Sequence, residues 1–121
     1  VFVAFSEDDT EEDLEWGIKK IINLRIFDDE NKKINFSLLN QNGDVLIVSQ
    51  FTLFAKIKKG NRPSWNQAAS AKKGECLYND FIKLFNFLYI EKKIQTGSFG
   101  ADMHISLVNN GPVTIFFDSK K

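Results

Sequence analysis

The chain contains few of the residues that build disulfides, metal centres or membrane spans. Its 121 residues include one cysteine, one histidine and two prolines. A single cysteine excludes an intramolecular disulfide and suits a reducing compartment, and a single histidine cannot anchor a site of several imidazoles. The apolar runs are far shorter than the ~20 residues needed to cross a bilayer. The given sequence does not open with a basic segment followed by an apolar stretch, which is the pattern of a leader peptide. We therefore expect a cytoplasmic protein with no membrane partner, no metal and no cofactor.

The residues that are present are typical of one globular domain. Hydrophobic residues make up 43% of the chain and charged residues 26%, which is ordinary for a protein with a single core. The net charge is zero, but residues 1–30 hold ten acids and three bases, whereas residues 45–74 hold six bases and no acid. A basic patch can bind phosphates, although six scattered bases are more often an ordinary solvated surface. Four of the six lie close together: Lys56, Lys58, Lys59 and Arg62.

The chain is organised around an apolar run that ends in polar residues. Residues 45–48 are continuously apolar and follow the turn-like residues 42–44, which predicts a strand buried on both faces. Ser49, Gln50 and Thr52 then place two hydroxyls and an amide at the end of that strand. Buried polar groups need hydrogen-bond partners. These side chains are therefore paired within the protein or await a ligand.

Two helices are predicted from apolar residues that recur on one helical face. Thr10 is a helix cap that precedes three acids, and the helix after it is expected to end near residues 24–27. Its apolar face consists of Leu14, Ile18, Ile21 and Ile22. A second helix is predicted from about Ala71 to Ile90. Its apolar face consists of Leu77, Phe81, Leu84, Phe85 and Leu88.

Shorter segments predict the strands of a mixed sheet. The chain opens inside a strand-like run, Val1–Phe5, so we expect further sequence to precede it. Ile34–Asn40 is compatible with a strand or with an irregular connector. Met103–Leu107 alternates as a half-buried strand does, Asn109–Pro112 is expected to turn the chain, and Val113–Phe117 to form the last strand. This order predicts a mixed sheet with two helices, in the α+β or α/β class.

The only histidine invites a comparison with hydrolase triads. Asp102 and His104 would share one face of a strand, and Ser49 would complete the set. Side chains two residues apart on a strand lie ~6–7 Å from each other. That separation is too long for the aspartate–histidine hydrogen bond that a triad requires, so we do not expect one.

Two motifs resemble those of one enzyme family. They are Ser49-Gln50-Phe51-Thr52-Leu53 and Asn109-Asn110-Gly111-Pro112-Val113-Thr114. Further matches lie between them: Gly60-x-Arg62-Pro63-Ser64, Leu77-Tyr78 and Thr96-Gly97-x-Phe99-x-Ala101-Asp102-Met103. On these residues the chain resembles the D-aminoacyl-tRNA deacylases over essentially its whole length. The resemblance implies one domain over residues 1–121 that lacks N-terminal strand sequence, with a mostly antiparallel or mixed, barrel-like sheet core and two main helices.

The resemblance also implies an activity and a partner. Members of the family are homodimers that hydrolyse the ester joining a D-amino acid, or mischarged glycine, to the terminal adenosine of tRNA. Their Gly-Pro, here Gly111-Pro112, is cis and enters the active site of the partner subunit. An L side chain would meet this rigid backbone, whereas a D-substrate or glycine presents only hydrogen there. We expect the tRNA acceptor end as partner, and no DNA.

The resemblance further implies roles for individual residues. Ser49, Gln50, Phe51 and Thr52 would form the catalytic wall, with N–H groups near Phe51 and Thr52 as oxyanion donors. The Thr52 hydroxyl could serve as a nucleophile, but hydrolysis in the family is credited to the 2′-hydroxyl of the tRNA and a water. We therefore expect Thr52 to have an orienting role and not to attack. The substrate-binding positions are Gly111, Pro112, Phe99, Met103, Asn109 and Thr114, of which Phe99 and Met103 match positions near the terminal adenine. The acceptor-stem phosphates would meet Lys56, Lys58, Lys59 and Arg62.

Two alternatives remain open. A relative that removes L-alanine from the wrong tRNA has a trans Gly-Pro and lacks the Ser-Gln-Phe-Thr form, so the intact Ser49–Thr52 argues against it. The other alternative is a catalytically inactive tRNA-binding or interaction module, because the strand whose Arg braces the family's Gly-Pro is not in this sequence. Gly74 is a second departure, since several relatives carry Ala at that helix position.

Overall fold

The computed structural model describes residues 1–90 and 94–121. Within them, short strands alternate with helices, so the mixed α+β class is confirmed. The helices are α1 (Glu11–Asn23), α2 (Leu38–Gln41) and α3 (Ala71–Leu88). The strands are β1 (Phe2–Val3), β2 (Arg25–Asp28), β3 (Ile34–Ser37), β4 (Leu46–Ser49) and β5 (Gln95–Thr96), and a 3₁₀ helix spans Phe51–Phe54.

Helix α1 begins at the cap that the sequence predicts. The backbone N–H and the hydroxyl of Thr10 both donate to the Asp13 carboxylate, at 2.9 and 3.0 Å, which satisfies groups that a helix start leaves open. The helix ends at Asn23, slightly before the predicted region. The reason is tertiary, because Leu24 caps the helix and Arg25–Asp28 then pair as β2 with β3 in an antiparallel hairpin. The ambiguous stretch 34–40 divides into β3 and the start of α2.

Strand β4 lies at the centre of a three-stranded parallel sheet with the order β1-β4-β5. Ile47 and Val48 are buried, but Leu46 is 46% exposed. The prediction of burial on both faces is therefore wrong at this end of the strand, where short neighbours leave one face open. Both neighbours pair with β4 over only two residues.

Helix α3 covers this sheet and packs against α1. It ends at Leu88, close to the predicted Ile90. Its buried aromatic residues form a chain of edge-on rings that also reaches Phe5, with centroids 5.6–6.1 Å apart. The members of this chain are Phe5, Phe81, Phe85 and Tyr89. Edge-on aromatic pairs of this kind add to the stabilisation by burial.

The predicted barrel-like core is wrong, because neither sheet closes. The second sheet contains only β2 and β3, and the three-stranded sheet is open on both sides. The predicted strands Met103–Leu107 and Val113–Phe117 are also wrong for this chain: residues 101–117 contain no helix or strand. An extended segment becomes a strand only when its backbone groups meet a partner, and no strand of the described residues pairs with this one.

Among the described residues, no helix is long and apolar enough to cross a membrane.

The C-terminal end of the chain is tied to α1. Lys120 Nζ donates to the Asp13 carboxylate at 2.6 Å, and the rings of Trp16 and Phe117 meet edge-on at 5.6 Å. The Lys120 ammonium holds the pKa of the Asp13 carboxyl well below its usual range, and the Asp13 carboxylate in turn raises the pKa of Lys120.

These pKa shifts predict where the pair stabilises the fold. A lowered carboxyl pKa stabilises the protein above the ordinary carboxyl pKa, and this stabilisation is lost as the pH falls below about 4. Because the pKa of Lys120 is raised, the stabilisation by its ion pair with Asp13 persists until the pH exceeds about 10. We expect Lys120→Ala to lower the melting temperature by about 1–4 °C at pH 7 and by less at pH 3, where part of the stabilisation by the ionised Asp13 carboxyl has been lost. Thermal unfolding of Lys121→Ala is the control, since Lys121 makes only a 3.9 Å contact with Asp118.

Candidate functional site

The first wall of the site is the polar end of β4. Gln50 donates its backbone N–H to the Val3 carbonyl at 2.8 Å, and its side-chain amide donates to Thr52 Oγ1 at 2.5 Å. Phe51 and Thr52 are the first two residues of the 3₁₀ helix. The first N–H groups of such a helix have no acceptor inside it. The structure thus places two main-chain donors directly after the central strand, beside the half-buried Ser49.

A basic loop is attached to this wall. Lys56 and Ser64 form an antiparallel bridge with N···O distances of 2.6 and 3.1 Å, and the Trp65 ring meets the Phe51 ring edge-on at 5.3 Å. The four basic residues predicted to bind phosphates are all exposed. Among the described residues, no ion pair engages any of them. Lys56, Lys58, Lys59 and Arg62 therefore present uncompensated positive charge.

The second wall surrounds Phe99 and Met103. Glycines make room for both: a Cβ at Gly74 would lie 3.2 Å from Phe99 Cζ, and one at Gly97 would lie 2.7 Å from Met103 Sδ. The Phe99 ring lies against the Tyr78 ring at 5.7 Å. An open cavity of about 400 Å³ lies here. Its lining consists of Glu75, Tyr78, Asn79, Ile82, Lys83, Thr96, Gly97 and Phe99.

The polar part of this lining was not predicted from the sequence. Glu75, Asn79 and Lys83 stand four residues apart on α3, so they form one polar stripe along the helix. That spacing was the available signal. In the sequence alone, this stripe is typical of an ordinary solvated helix face. The structure places Thr96 and Phe99 opposite to it, so that the stripe lines the cavity.

Tyr78 joins the two walls. Its hydroxyl lies 3.1 Å from the carbonyl oxygen of Ile47 and 3.2 Å from that of Gly97, and burial raises the pKa of this hydroxyl. Ile47 precedes the Ser49–Thr52 wall, and Gly97 precedes Phe99 and Met103. The Gly97 N–H also donates to the Ile47 carbonyl at 2.8 Å. The walls are thus fixed relative to each other through one strand.

The Gly111-Pro112 corner is a braced turn. Its peptide bond is cis, and Gly111 has a φ of +136°. The Asn109 side chain spans the corner, donating to Thr114 Oγ1 at 2.9 Å and accepting the Val113 N–H at 3.1 Å. Among the described residues, no hydrogen bond or ring contact joins 109–114 to 49–52. Within the described part of one chain, the two motifs are thus not joined by a hydrogen bond or a ring contact.

The residues that other mechanisms would need do not assemble. His104 is exposed and lies in a segment without a strand, so the geometry assumed for a triad does not arise. The described residues contain no group of three or more histidine, cysteine, aspartate or glutamate side chains able to hold a metal ion. The 49–52 wall offers main-chain donors, hydroxyls and an amide, and the second wall offers aromatic rings beside the polar stripe of Glu75, Asn79 and Lys83.

Comparisons with known proteins agree on one family. Residues 1–118 match the family described as D-Tyr-tRNA(Tyr) deacylase. The D-aminoacyl-tRNA deacylase of Sulfurihydrogenibium sp. (strain YO3AOP1) is 50% identical over 121 residues, which is all of this chain and 80% of the relative. The deacylase of Thermotoga petrophila is 51% identical, again over all of this chain and 80% of the relative.

Two solved structures are similar to this chain in fold. A structure named c-Myc DNA Unwinding Element Binding Protein is 38% identical with a TM-score of 0.87, covering 94% of this chain and 76% of the other. The structure of a probable eukaryotic D-amino acid tRNA deacylase is 22% identical to this chain with a TM-score of 0.68. The match covers 84% of this chain and 74% of the other, and it shows a similar fold. Because the match extends along the whole sequence, this chain belongs to the D-aminoacyl-tRNA deacylase family.

Proposed function

We propose that this chain hydrolyses the ester between a D-amino acid, or mischarged glycine, and the terminal adenosine of tRNA. Membership in the family supports an ester hydrolase acting on this substrate. The proposed site combines the 49–52 wall of one subunit with the 111–112 corner of its partner. The observation that carries the proposal is that each motif is braced by its own side-chain amide: Gln50 holds Thr52, and Asn109 holds Thr114.

A homodimer is proposed because no hydrogen bond or ring contact joins the corner to the wall within the described residues of one chain. The segment that carries the corner is also unusually apolar for an exposed one. Its large exposed residues include Leu107 at 65%, Val108 at 91% and Phe116 at 67% exposure. Contiguous apolar surface of this kind typically marks an interaction site. A second copy of the chain would cover it and bring each corner to the opposite wall.

We propose that the backbone of the corner discriminates between D- and L-amino acids. A main-chain obstacle excludes an L side chain by steric repulsion, whatever that side chain is, while glycine and D-amino acids place only hydrogen there. Such a device needs a rigid corner. The two hydrogen bonds of Asn109 supply that rigidity within residues 109–114.

The hydrolysis is proposed to use main-chain donors and the substrate's own hydroxyl. The N–H groups of Phe51 and Thr52 would stabilise the tetrahedral intermediate, and removal of one such donor costs ~3–4 kcal/mol in other hydrolases. The partner of Thr52 Oγ1 is the Gln50 amide, which is a donor and cannot accept a proton. Thr52 therefore has no base beside it. We assign the attack to a water positioned by the tRNA 2′-hydroxyl.

The remaining contacts extend along the tRNA end. The cavity beside Phe99 and Met103 would receive the terminal adenosine, since aromatic rings stack on bases. The loop with Lys56, Lys58, Lys59 and Arg62 would meet acceptor-stem phosphates. Aminoacyl-tRNA is made where translation takes place, which supports the proposed role in proofreading and the proposed cytoplasmic location.

The activity is tested by incubation with D-Tyr-tRNA and L-Tyr-tRNA in parallel. We expect loss of the D-ester only, because the corner rejects the L-ester. Measurement of residual ester by acid precipitation separates the alternatives. Binding of both tRNAs without turnover would support the inactive tRNA-binding module, and hydrolysis of the L-ester would contradict the proposed exclusion.

A Thr52→Ala variant tests the role of the hydroxyl. We expect single-turnover hydrolysis of D-Tyr-tRNA within about tenfold of the wild type, because Thr52 orients and does not attack; loss of a true nucleophile costs about 10⁴-fold or more. Thr52→Ser, which keeps a hydroxyl, is the matched control. A loss as large as that of a nucleophile in Thr52→Ala, restored by Thr52→Ser, would show that Thr52 attacks.

A Gly111→Ala variant tests the corner. At a φ of +136° the new Cβ would lie 3.2 Å from the Val113 nitrogen, so the corner must shift. We expect the ratio of D-Tyr-tRNA to L-Tyr-tRNA hydrolysis to fall by about tenfold or more. Gly60→Ala is the control, because Gly60 also has a positive φ but nothing within 4 Å of its Cβ position. An unchanged ratio in Gly111→Ala would count against chiral exclusion by the corner.

A further inference from the structure

The basic loop and the catalytic wall are joined at one edge. The Lys56–Ser64 bridge closes residues 57–63 into a loop, and Trp65 follows the bridge directly. The Trp65 ring then meets the Phe51 ring at 5.3 Å, with an interplanar angle of 88°. The loop that carries Lys58, Lys59 and Arg62 is thereby attached to the first residue of the 3₁₀ helix.

Phe51 is otherwise weakly held. Phe51 is 52% exposed, and its ring contacts the ring of Trp65. The residue on each side is fixed, because Gln50 is hydrogen-bonded to Val3 and its side-chain amide to Thr52. The rotamers open to a side chain depend on the φ and ψ of its residue, so a Phe51 ring that leaves Trp65 for another rotamer also allows other backbone dihedrals at Phe51. Such a change of dihedrals would re-aim the N–H groups of Phe51 and Thr52.

We infer that Trp65 is a positioning residue for hydrolysis. It holds the Phe51 ring edge-on, and through it the two main-chain donors in the direction where the oxyanion forms. The same contact relays the docking of tRNA phosphates on the 57–63 loop to the catalytic wall. This inference rests on the proposed role of the Phe51 and Thr52 N–H groups.

The chemistry explains why a ring outside the reaction affects the rate. Oxyanion donors act only when they lie within a narrow distance of the developing charge, and a misplacement of about 1 Å can slow a reaction by about 100-fold. An edge-on ring pair is directional, so it restricts the rotation of Phe51 as well as its distance. A small side chain at position 65 removes that restriction and leaves both N–H groups present.

The competing role for an exposed tryptophan beside basic residues is base stacking with tRNA. The two roles affect different constants. A stacking residue contributes to binding, so its loss raises KM and leaves the saturated rate unchanged. A positioning residue affects kcat and leaves KM nearly constant.

The test compares Trp65→Ala, Trp65→Phe and Trp16→Ala in the chain of 121 residues, with D-Tyr-tRNA as substrate. We expect Trp65→Ala to lower kcat by about tenfold with KM changed less than twofold, and Trp65→Phe to restore kcat. Trp16→Ala is the matched control, because Trp16 is also 39% exposed and also meets a phenylalanine edge-on. A raised KM with normal kcat would overturn the inference in favour of stacking, and equal losses in both alanine variants would overturn it in favour of general destabilisation.

The Phe51→Ala variant keeps the test decisive if Trp65→Ala folds poorly, and a double-mutant cycle is added where both variants fold. Phe51→Ala removes the ring but keeps the N–H group, so it should lower kcat to the same extent. The double variant should be no slower than either single variant, because both remove one contact. Additive losses would overturn the inference.

Failure of this inference can be told apart from failure of the proposed function. Replacement of the Thr52 amide by an ester removes one donor without touching Trp65. If that replacement leaves kcat unchanged, the oxyanion role is wrong and the inference falls with it. If it lowers kcat while Trp65→Ala does not, the oxyanion role stands and the inference alone is overturned.

Discussion

The buried hydroxyl of Tyr78 links the parts of the structure on which the site depends. It lies between the carbonyl oxygens of Ile47 and Gly97, so helix α3, the central strand and the segment leading to Phe99 share one hydrogen-bonded point. A buried polar group left without its partner costs about 1–3 kcal/mol. Separation of the two walls would break the hydrogen bond from the Gly97 N–H to the Ile47 carbonyl and incur a cost of this kind. The site is therefore as rigid as the core beneath it.

Glycine positions show how closely the second wall is packed. Gly74 and Gly97 each leave room for a larger side chain, Phe99 in one case and Met103 in the other. A glycine inside a helix destabilises it by about 1 kcal/mol relative to alanine, so Gly74 carries a local cost. In return the Phe99 ring approaches the helix and lies against Tyr78. A relative with alanine at this position would need Phe99 to move by a few tenths of an ångström.

The proposed recognition uses backbone more than side chains. Main-chain N–H groups at 51–52 and the main chain at 111–112 have no side chain to be matched to a particular amino acid. Each is instead braced by a neighbouring amide side chain, from Gln50 or Asn109. This division explains how a site can accept many D-amino acids while remaining geometrically strict. The side chains hold the backbone, and the backbone meets the substrate.

Local patterns in the sequence were sufficient wherever one element determines its own structure. The Thr10 cap, the apolar faces of α1 and α3 and the apolar run into Ser49 were all predicted, because capping and periodicity depend on near neighbours. Patterns failed where the partner of a segment lies far along the chain. Residues 103–107 alternate like a strand, yet they pair with no strand of the described residues.

By itself, the sequence determined the two main helices, the two motifs and a mixed class of α+β or α/β type, because helix faces, caps and motifs depend on short-range spacing. Only the tertiary structure decided that the sheet stays open, that Leu46 is exposed and that the polar stripe on α3 lines a cavity. It also decided that Trp65 reaches Phe51 and that Asp13 reaches Lys120. Contacts between residues this far apart depend on how elements pack. No local pattern of residue types encodes that packing.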